Sequence, residues 1–190
     1  MADLPLAKLR QCKILFRKKR AEGTIVVSDD PKGVRHLYIG DQDASSRNGN
    51  VRSYVNALAE RVTELFSTLP DLNANPSCMV IGVAGGSLLH LLRGSFPRAD
   101  LHGVDNDPDV LAAARQYFSL DDAHANIICG DGLEELKKFA DGSFNLIVMD
   151  AFISKDTSPA HLIDRNALEV YKSKLASGGY LFLNTIAKDC

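Results

Sequence analysis

The chain has 190 residues, 45% hydrophobic and 24% charged, with a formal net charge of −2. This is one domain by the usual size prior, with room for a small appendage and a real core, and its composition is ordinary for a soluble globular chain. The near-neutral balance gives no global reason to expect nucleic acid or a membrane surface as partner. Cys12, Cys78, Cys129 and Cys190 are far apart and form no C-x-x-C pair, so neither a zinc site nor a disulfide scaffold is indicated. Cys78 and Cys129 lie in or beside apolar runs and read as buried thiols. No apolar run is long enough to cross a bilayer and the N-terminus lacks a signal-peptide core, so the expectation is a cytoplasmic protein or, as the alternative, a nuclear one.

In chain order, residues 1–20 carry a basic cluster, KLRQCKILFRKKR. It reads as a strand from Lys13 to Phe16 followed by a solvated charged turn; a localisation signal or phosphate-binding patch is the competing reading. Thr24 to Val27 and Val34 to Ile39 are β-rich runs split by the turn residues Asp29 to Gly33, which predicts a hairpin. Residues 41–50 are polar and read as a loop. Ser53 to Leu69 shows helical spacing, with Tyr54, Leu58, Val62, Leu65 and Phe66 on one face. The chain thus divides into an N-terminal β-hairpin region with its basic segment, 1–52, and a second unit, 53–190.

The second unit is organised around CMVIGVAGGSLLHLLRGSFPRADLHGVDND, from Cys78 to Asp107. It predicts a buried strand from Met79 to Gly82, a glycine turn, a helix from about Ser87, and a strand ending on Asp105. Asp107 and Pro108 open a helix to about Phe118 as N-cap and first position. Asn126 to Cys129 is a short strand, Leu133 to Ala140 a helix, and Phe144 to Met149 an apolar strand ending on Asp150. A long connection carrying Ser154, Asp156, Ser158, Pro159 and His161 leads to a helix from Asp164 to Leu175. Ser177-Gly178-Gly179 then turns into a final strand, Tyr180 to Asn184. Continuous apolar strands alternating with helices predict an α/β fold, a Rossmann-like doubly wound, mostly parallel sheet covered on both faces.

In such a sheet the ligand lies at the carboxyl ends of the strands. Gly82, Gly85 and Gly86 follow the first core strand, and Asp105, Asp131 and Asp150 close the next three, a more specific set than a lone glycine motif. The turn G-V-A-G-G-S matches neither the dinucleotide fingerprint nor a phosphate loop. A donor with ribose and adenine but no pyrophosphate, S-adenosylmethionine, fits: glycine contacts for its amino-acid end, Asp105 for the ribose hydroxyls, Asp131 for the adenine amine. No metal is called for.

The stretches VIGVAGGSL, HGVDNDPDVLAAARQYF, GDGLEEL and LIVMDAF resemble the spermidine-synthase-like branch of the class I S-adenosylmethionine-dependent methyltransferase superfamily. The likeness runs on through DTSPAHLIDRNALEVYKSKLASGGYLFLN and covers about residues 13–186. It implies the class I fold, a small N-terminal β region, and Gly82, Gly85 and Gly86 under the methionine portion of the donor. It also implies Asp105 at the ribose, Asp131 with Gly132 at the adenine, Asp150 beside the reacting centre, and Tyr54 on the acceptor side. Asp156 and His161, in the connection after Asp150, join the acceptor-side candidates; the other reading of His161 is a surface residue.

The branch holds two chemistries. Aminopropyltransferases of polyamine biosynthesis use decarboxylated S-adenosylmethionine and carry an aspartate in the glycine loop to hold its amine. This chain has Val83-Ala84 in that turn and no acid, which favours methyl transfer from ordinary S-adenosylmethionine to an unidentified acceptor, a protein amine being one reading. Aminopropyl transfer to a polyamine with Asp150 as base is the alternative, and a shortened binding module without turnover the second alternative. The family sheet has seven strands and this sequence stops after the fifth. A trimmed chain, a naturally short variant, or a homodimer covering that edge are the three explanations.

Overall fold

The computed structural model describes residues 9–48, 53–55, 61–62, 64, 75–153 and 157–185. Its second half is the expected α/β unit. β6 (Ser77–Ile81), β7 (Asp100–Asp105), β8 (Asn126–Cys129), β9 (Phe144–Met149) and β10 (Leu175–Leu183) form one sheet in the order β10-β9-β6-β7-β8, every pairing parallel. The crossovers contain α1 (Ser87–Ser95), α2 (Pro108–Phe118), α3 (Gly132–Lys137) and α4 (Arg165–Lys174). From β6 the chain steps first to β7 on one side and later to β9 on the other. The crevice this reversal opens at the strands' carboxyl ends is the ligand position of doubly wound sheets.

The strands read as unbroken apolar runs because both sheet faces are covered. Cys78 and Val80 of β6, with Leu146 and Val148 of β9, pack beneath Leu88, Leu89 and Leu92 of α1 and Leu111 and Ala114 of α2. The alternate residues Met79, Ile81, Ile147 and Met149 point the other way, under Leu133 and Leu136 of α3 and Ala167 and Tyr171 of α4. Helix starts are set locally: Asp107 accepts from the N–H groups of Asp109 and Val110, Asp131 from Leu133 and Glu134, and Asp164 from Ala167. Each such cap satisfies donors a helix otherwise leaves open.

The N-terminal region is larger than a hairpin. β1 (Lys13–Lys18), β2 (Ile25–Asp29), β3 (Val34–Ile39), β4 (Gln42–Asn48) and β5 (Ser53–Val55) form an antiparallel sheet in chain order. Ile25, Val27 and Leu37 pack on Val110, Ala113 and Phe118, so α2 is shared between the two sheets. Arg35 adds a hydrogen bond to the Tyr117 carbonyl, 3.1 Å, while Lys18 meets Asp109 and Arg20 meets Asp107.

Several expectations are corrected. The polar stretch 41–50 is not a loop: Gln42–Asn48 is β4, formed by pairing with β3 and by Ser45 packing on the glycine turn. Tertiary pairing here overrides the poor strand propensity of Asp, Asn and Ser. The helix expected from Ser53 begins as a strand, because Ser53 to Val55 pair with β4. Arg61, Val62 and Glu64 are helical, Val62 is buried in the core, and most of the remainder of that stretch lies outside the described residues. Ser177-Gly178-Gly179 is not a separate turn but a bulge inside β10, which pairs with β9 at Leu175 and again from Tyr180. Gly178 takes the left-handed φ of 75° that the bulge requires. Cys78 is buried as expected, but Cys129 is exposed, since it ends the edge strand β8.

Gly132 marks where packing is tightest. A Cβ there would stand 2.3 Å from Ile81 Cγ2, inside the core between α3 and β6. Gly132→Ala is expected to destabilise the fold by about 1–3 kcal/mol, as overpacked cores do. Urea unfolding checks this; a midpoint equal to that of the parent would contradict the packing described.

Candidate functional site

A cavity of about 1120 Å³ opens where the sheet topology places it. Its floor and one side come from the strand ends: Ile81 to Ala84, Val104 to Asp107, Gly130 to Gly132, Asp150 to Ile153, and Asn184. The opposite wall is the N-terminal sheet, through Arg20, Glu22, Asp41, Asp43 and Ser45. The lining carries many more carboxylates than cations, which favours a cationic ligand over a phosphate.

The glycine turn is shaped by Asp105. Its Oδ2 accepts the N–H groups of Val83 at 3.1 Å and Ala84 at 2.9 Å, and its Oδ1 accepts that of Asp107 at 3.0 Å. Burial raises the Asp105 pKa; the N–H donors of Ala84, Asp107 and Val83 offset part of this, while the neighbouring charge of Asp107 adds to it. Gly82 needs its φ of 91° and its missing side chain, since a Cβ would lie 2.5 Å from the Asp150 carbonyl oxygen. Ala84 is held at φ 46°, a left-handed conformation uncommon outside glycine. The N–H groups of Val83 and Ala84 end on a carboxylate and that of Gly86 on the Val83 carbonyl. The turn therefore lacks the convergent free donors of a phosphate cradle.

Asp131 divides its two oxygens. Oδ1 caps α3, and Oδ2 lies 2.7 Å from His161 Nε2. Burial pushes its pKa up, but the bonds from the Glu134 N–H, His161 and the Leu133 N–H outweigh this and hold it below the ordinary value. Asp150, at the end of β9, is the contrasting acid. Desolvation pushes its pKa up to about 6, and the one counterweight is the side-chain amide of Asn184, whose Nδ2 donates to Oδ1 at 2.8 Å. A half-buried, desolvated carboxyl with no cation beside it among the described residues is poised to exchange a proton near neutral pH.

The predicted residues thus converge in large part. Gly82, Asp105, Asp131, Gly132, Asp150 and His161 all line the one cavity. Gly85 and Gly86, expected beneath the ligand, are not among the residues lining the cavity, and both stand where packing is close. A Cβ on Gly85 would meet Ser45 of β4 at 2.7 Å, and one on Gly86 would meet Leu120 at 2.6 Å. Tyr54 lies on β5 opposite Arg47, and Asp156 lies outside the described residues. Asn184 was missed, although it ends the strand run YLFLN as the three aspartates end theirs. The wall from the N-terminal sheet has no comparable local signal.

With this geometry in hand, relatives can be compared. The family model described as "Methyltransferase domain" matches residues 79–179, more than half of the chain, and the chain belongs to this family. Beyond the family, the chain is similar to a lysine and N-terminal methyltransferase homolog, to a polyamine aminopropyltransferase and, in fold, to a probable spermidine synthase. It is 28% identical over 129 residues to an eEF1A lysine and N-terminal methyltransferase homolog of Drosophila melanogaster, covering 63% of this chain and 19% of that protein. It is 31% identical over 126 residues to a polyamine aminopropyltransferase of Vibrio vulnificus, covering 63% of this chain and 42% of that one. In fold it is similar to the crystal structure of a probable spermidine synthase from Corynebacterium glutamicum. The TM-score is 0.72 at 13% identity, over 90% of this chain and 61% of the other. The chain therefore spans well under half the length of these two curated relatives.

The raised Asp150 pKa has a stability consequence. Between its ordinary value of 3.8 and about 6 the native state holds a proton that the unfolded chain has released. Stability contributed at low pH is lost as pH rises through that window. Asp150→Asn is expected to stabilise the protein at pH 8 by about 1–3 kcal/mol and to give little gain at pH 3.5. Denaturant unfolding at the two pH values measures this; equal effects at both would show that Asp150 is not the titrating group.

Proposed function

We propose that this chain binds S-adenosylmethionine in the cavity and methylates an amine of a protein acceptor, with Asp150 as the base. The observation that carries the reading is the contrast between two places in the cavity. The turn from Gly82 to Ser87 contains no carboxylate, whereas Asp150 presents a half-buried one without a cation partner among the described residues. The residues fit the donor. Asp105 keeps acceptor capacity on Oδ1 for ribose hydroxyls, Asp131 on Oδ2 for the adenine amine, and Val83 and Leu88 offer apolar surface. When bound, S-adenosylmethionine supplies an electrophilic methyl carbon on a sulfonium whose sulfur leaves as a neutral thioether.

The protein's own part is charge and position. A protonated acceptor amine is drawn to the acidic cavity and gives a proton to Asp150, which turns from carboxylate to acid and frees the nitrogen lone pair. Holding that nitrogen in line, with water excluded by the wall from the N-terminal sheet, is the remaining requirement. The Drosophila melanogaster relative supports a protein amine as acceptor, since it is named for lysine and N-terminal methylation of eEF1A. The Vibrio vulnificus relative supports the second reading, aminopropyl transfer to a polyamine with the same base. That reading lacks the turn carboxylate needed to hold the amine of a decarboxylated donor.

Calorimetric titration with S-adenosylmethionine, its decarboxylated form and S-adenosylhomocysteine separates the two. The first and third are expected to bind, and Asp105→Ala to weaken both by about tenfold or more, the loss of a hydrogen bond to a charged group. Preferential binding of the decarboxylated donor would overturn the methyl-transfer reading. Transfer of radiolabelled methyl to proteins of a cell extract, compared with transfer to putrescine, then assigns the acceptor class. Asp150→Asn is expected to lose that transfer while keeping its affinity for S-adenosylhomocysteine.

A further inference from the structure

Asn184 follows β10 and reaches across to Asp150. Its backbone N–H donates to the Met149 carbonyl at 2.9 Å, extending the β9–β10 ladder by one bond beyond the last paired residues. That bond sets the two side chains next to each other at the cavity floor, where both contribute to the lining. The side-chain amide meets Asp150 Oδ1 at 2.8 Å, and a carboxylate partner requires the nitrogen, not the oxygen, of the amide to face it. On its other side the Asp150 backbone is anchored by its N–H to the Ile81 carbonyl, 2.8 Å.

Among the described residues, several other charged groups of the lining are committed elsewhere. Asp105 is held by the glycine turn, Asp131 by α3 and His161, Arg20 by Asp107, and Asp43 by His36. Glu22, on the N-terminal wall, makes no hydrogen bond or ion pair with Asp150 among the described residues. Asn184 is thus the single side chain hydrogen-bonded to this carboxyl among the described residues.

We propose that Asn184 is the positioning residue for Asp150: by occupying Oδ1 it leaves Oδ2 as the oxygen presented to the acceptor nitrogen. The inference rests on the reading of Asp150 as the base. Two effects follow from one bond. The amide fixes the rotation of the carboxyl group, so a single lone-pair direction is offered to the incoming proton. Its N–H favours the ionised carboxylate and so counters the desolvation that would otherwise keep Asp150 protonated and unable to accept. An apolar residue at 184 would remove both. A strand-terminal Asn would thereby decide whether the base is in its working state at neutral pH.

The test does not need the acceptor to be known. In the full chain with carboxyl-labelled aspartate, the Asp150 resonance is assigned by its loss in D150N and its titration followed by NMR. N184L is expected to raise its midpoint by about one unit, the worth of a hydrogen bond to a charged group. N184Q, which keeps an amide donor, is expected to show little of that shift. Affinity for S-adenosylhomocysteine, measured by calorimetry, should change less than about twofold in N184L, because the donor contacts lie on other strand ends. In the radiolabel assay the acidic limb of the rate profile should move to higher pH with the midpoint. An unmoved midpoint in N184L overturns the proposal; if that variant does not fold, N184A reads the same quantity with the same sign. A raised midpoint together with undiminished transfer by D150N overturns the assignment of Asp150 as base, an outcome distinct from failure of the Asn184 contact.

Discussion

The Asp105 carboxylate ties the glycine turn to the end of the neighbouring strand, and the site is arranged about that tie. Two backbone N–H groups of the turn and one of the following loop end on it, which holds Ala84 in a left-handed conformation and keeps the turn tight. The same bonds use up donors that other nucleotide sites aim at phosphate. A buried acid shaping the turn therefore also selects against an anionic ligand. The carboxylates of Asp131 and Asp150 extend the same bias around the crevice, with one acid lowered in pKa and the other raised. Separating two acids by environment in this way gives one a binding task and the other a proton-transfer task.

The N-terminal sheet completes the crevice. Ser45 of β4 lies against Gly85 and bonds through its hydroxyl to Ser87 at 2.8 Å, which locks the sheet onto the start of α1. Gly85 is required by this contact, so a residue type that signals ligand binding in the sequence is explained here by the close approach of a second strand. Leucine-rich and aspartate-capped elements of the α/β unit set the donor side, and the small sheet sets the wall opposite.

The α/β unit was legible because each signal was local. Continuous apolar strands, aspartate N-caps at 107, 131 and 164, and glycines at turns each report on their own few residues. The rule that ligands meet strand ends then brought Asp105, Asp131 and Asp150 together without knowledge of their distances. It also applied to Asn184, which was passed over because an amide does not draw the eye as a carboxylate does. What stayed hidden depended on distant contacts. β4 is polar and has no strand signature of its own, since its partner is β3 and its packing surface is the glycine turn. β5 was masked by helical spacing that continues into Val62. The His161 to Asp131 bond joins positions 30 residues apart and leaves no trace in either neighbourhood.

The sharing of α2 between the two sheets bears on how the molecule is made. Lys18 and Asp109 are 91 residues apart, and the apolar face of β2 and β3 has no partner until Val110, Ala113 and Phe118 exist. During synthesis the N-terminal strands leave the ribosome first, roughly 5–20 s ahead of the helix that covers them. Through that interval Ile25, Val27 and Leu37 lack their cover, and the small sheet gains it only when α2 has emerged. The first strands made are therefore not buried until a helix about eighty residues further along the chain can pack on them.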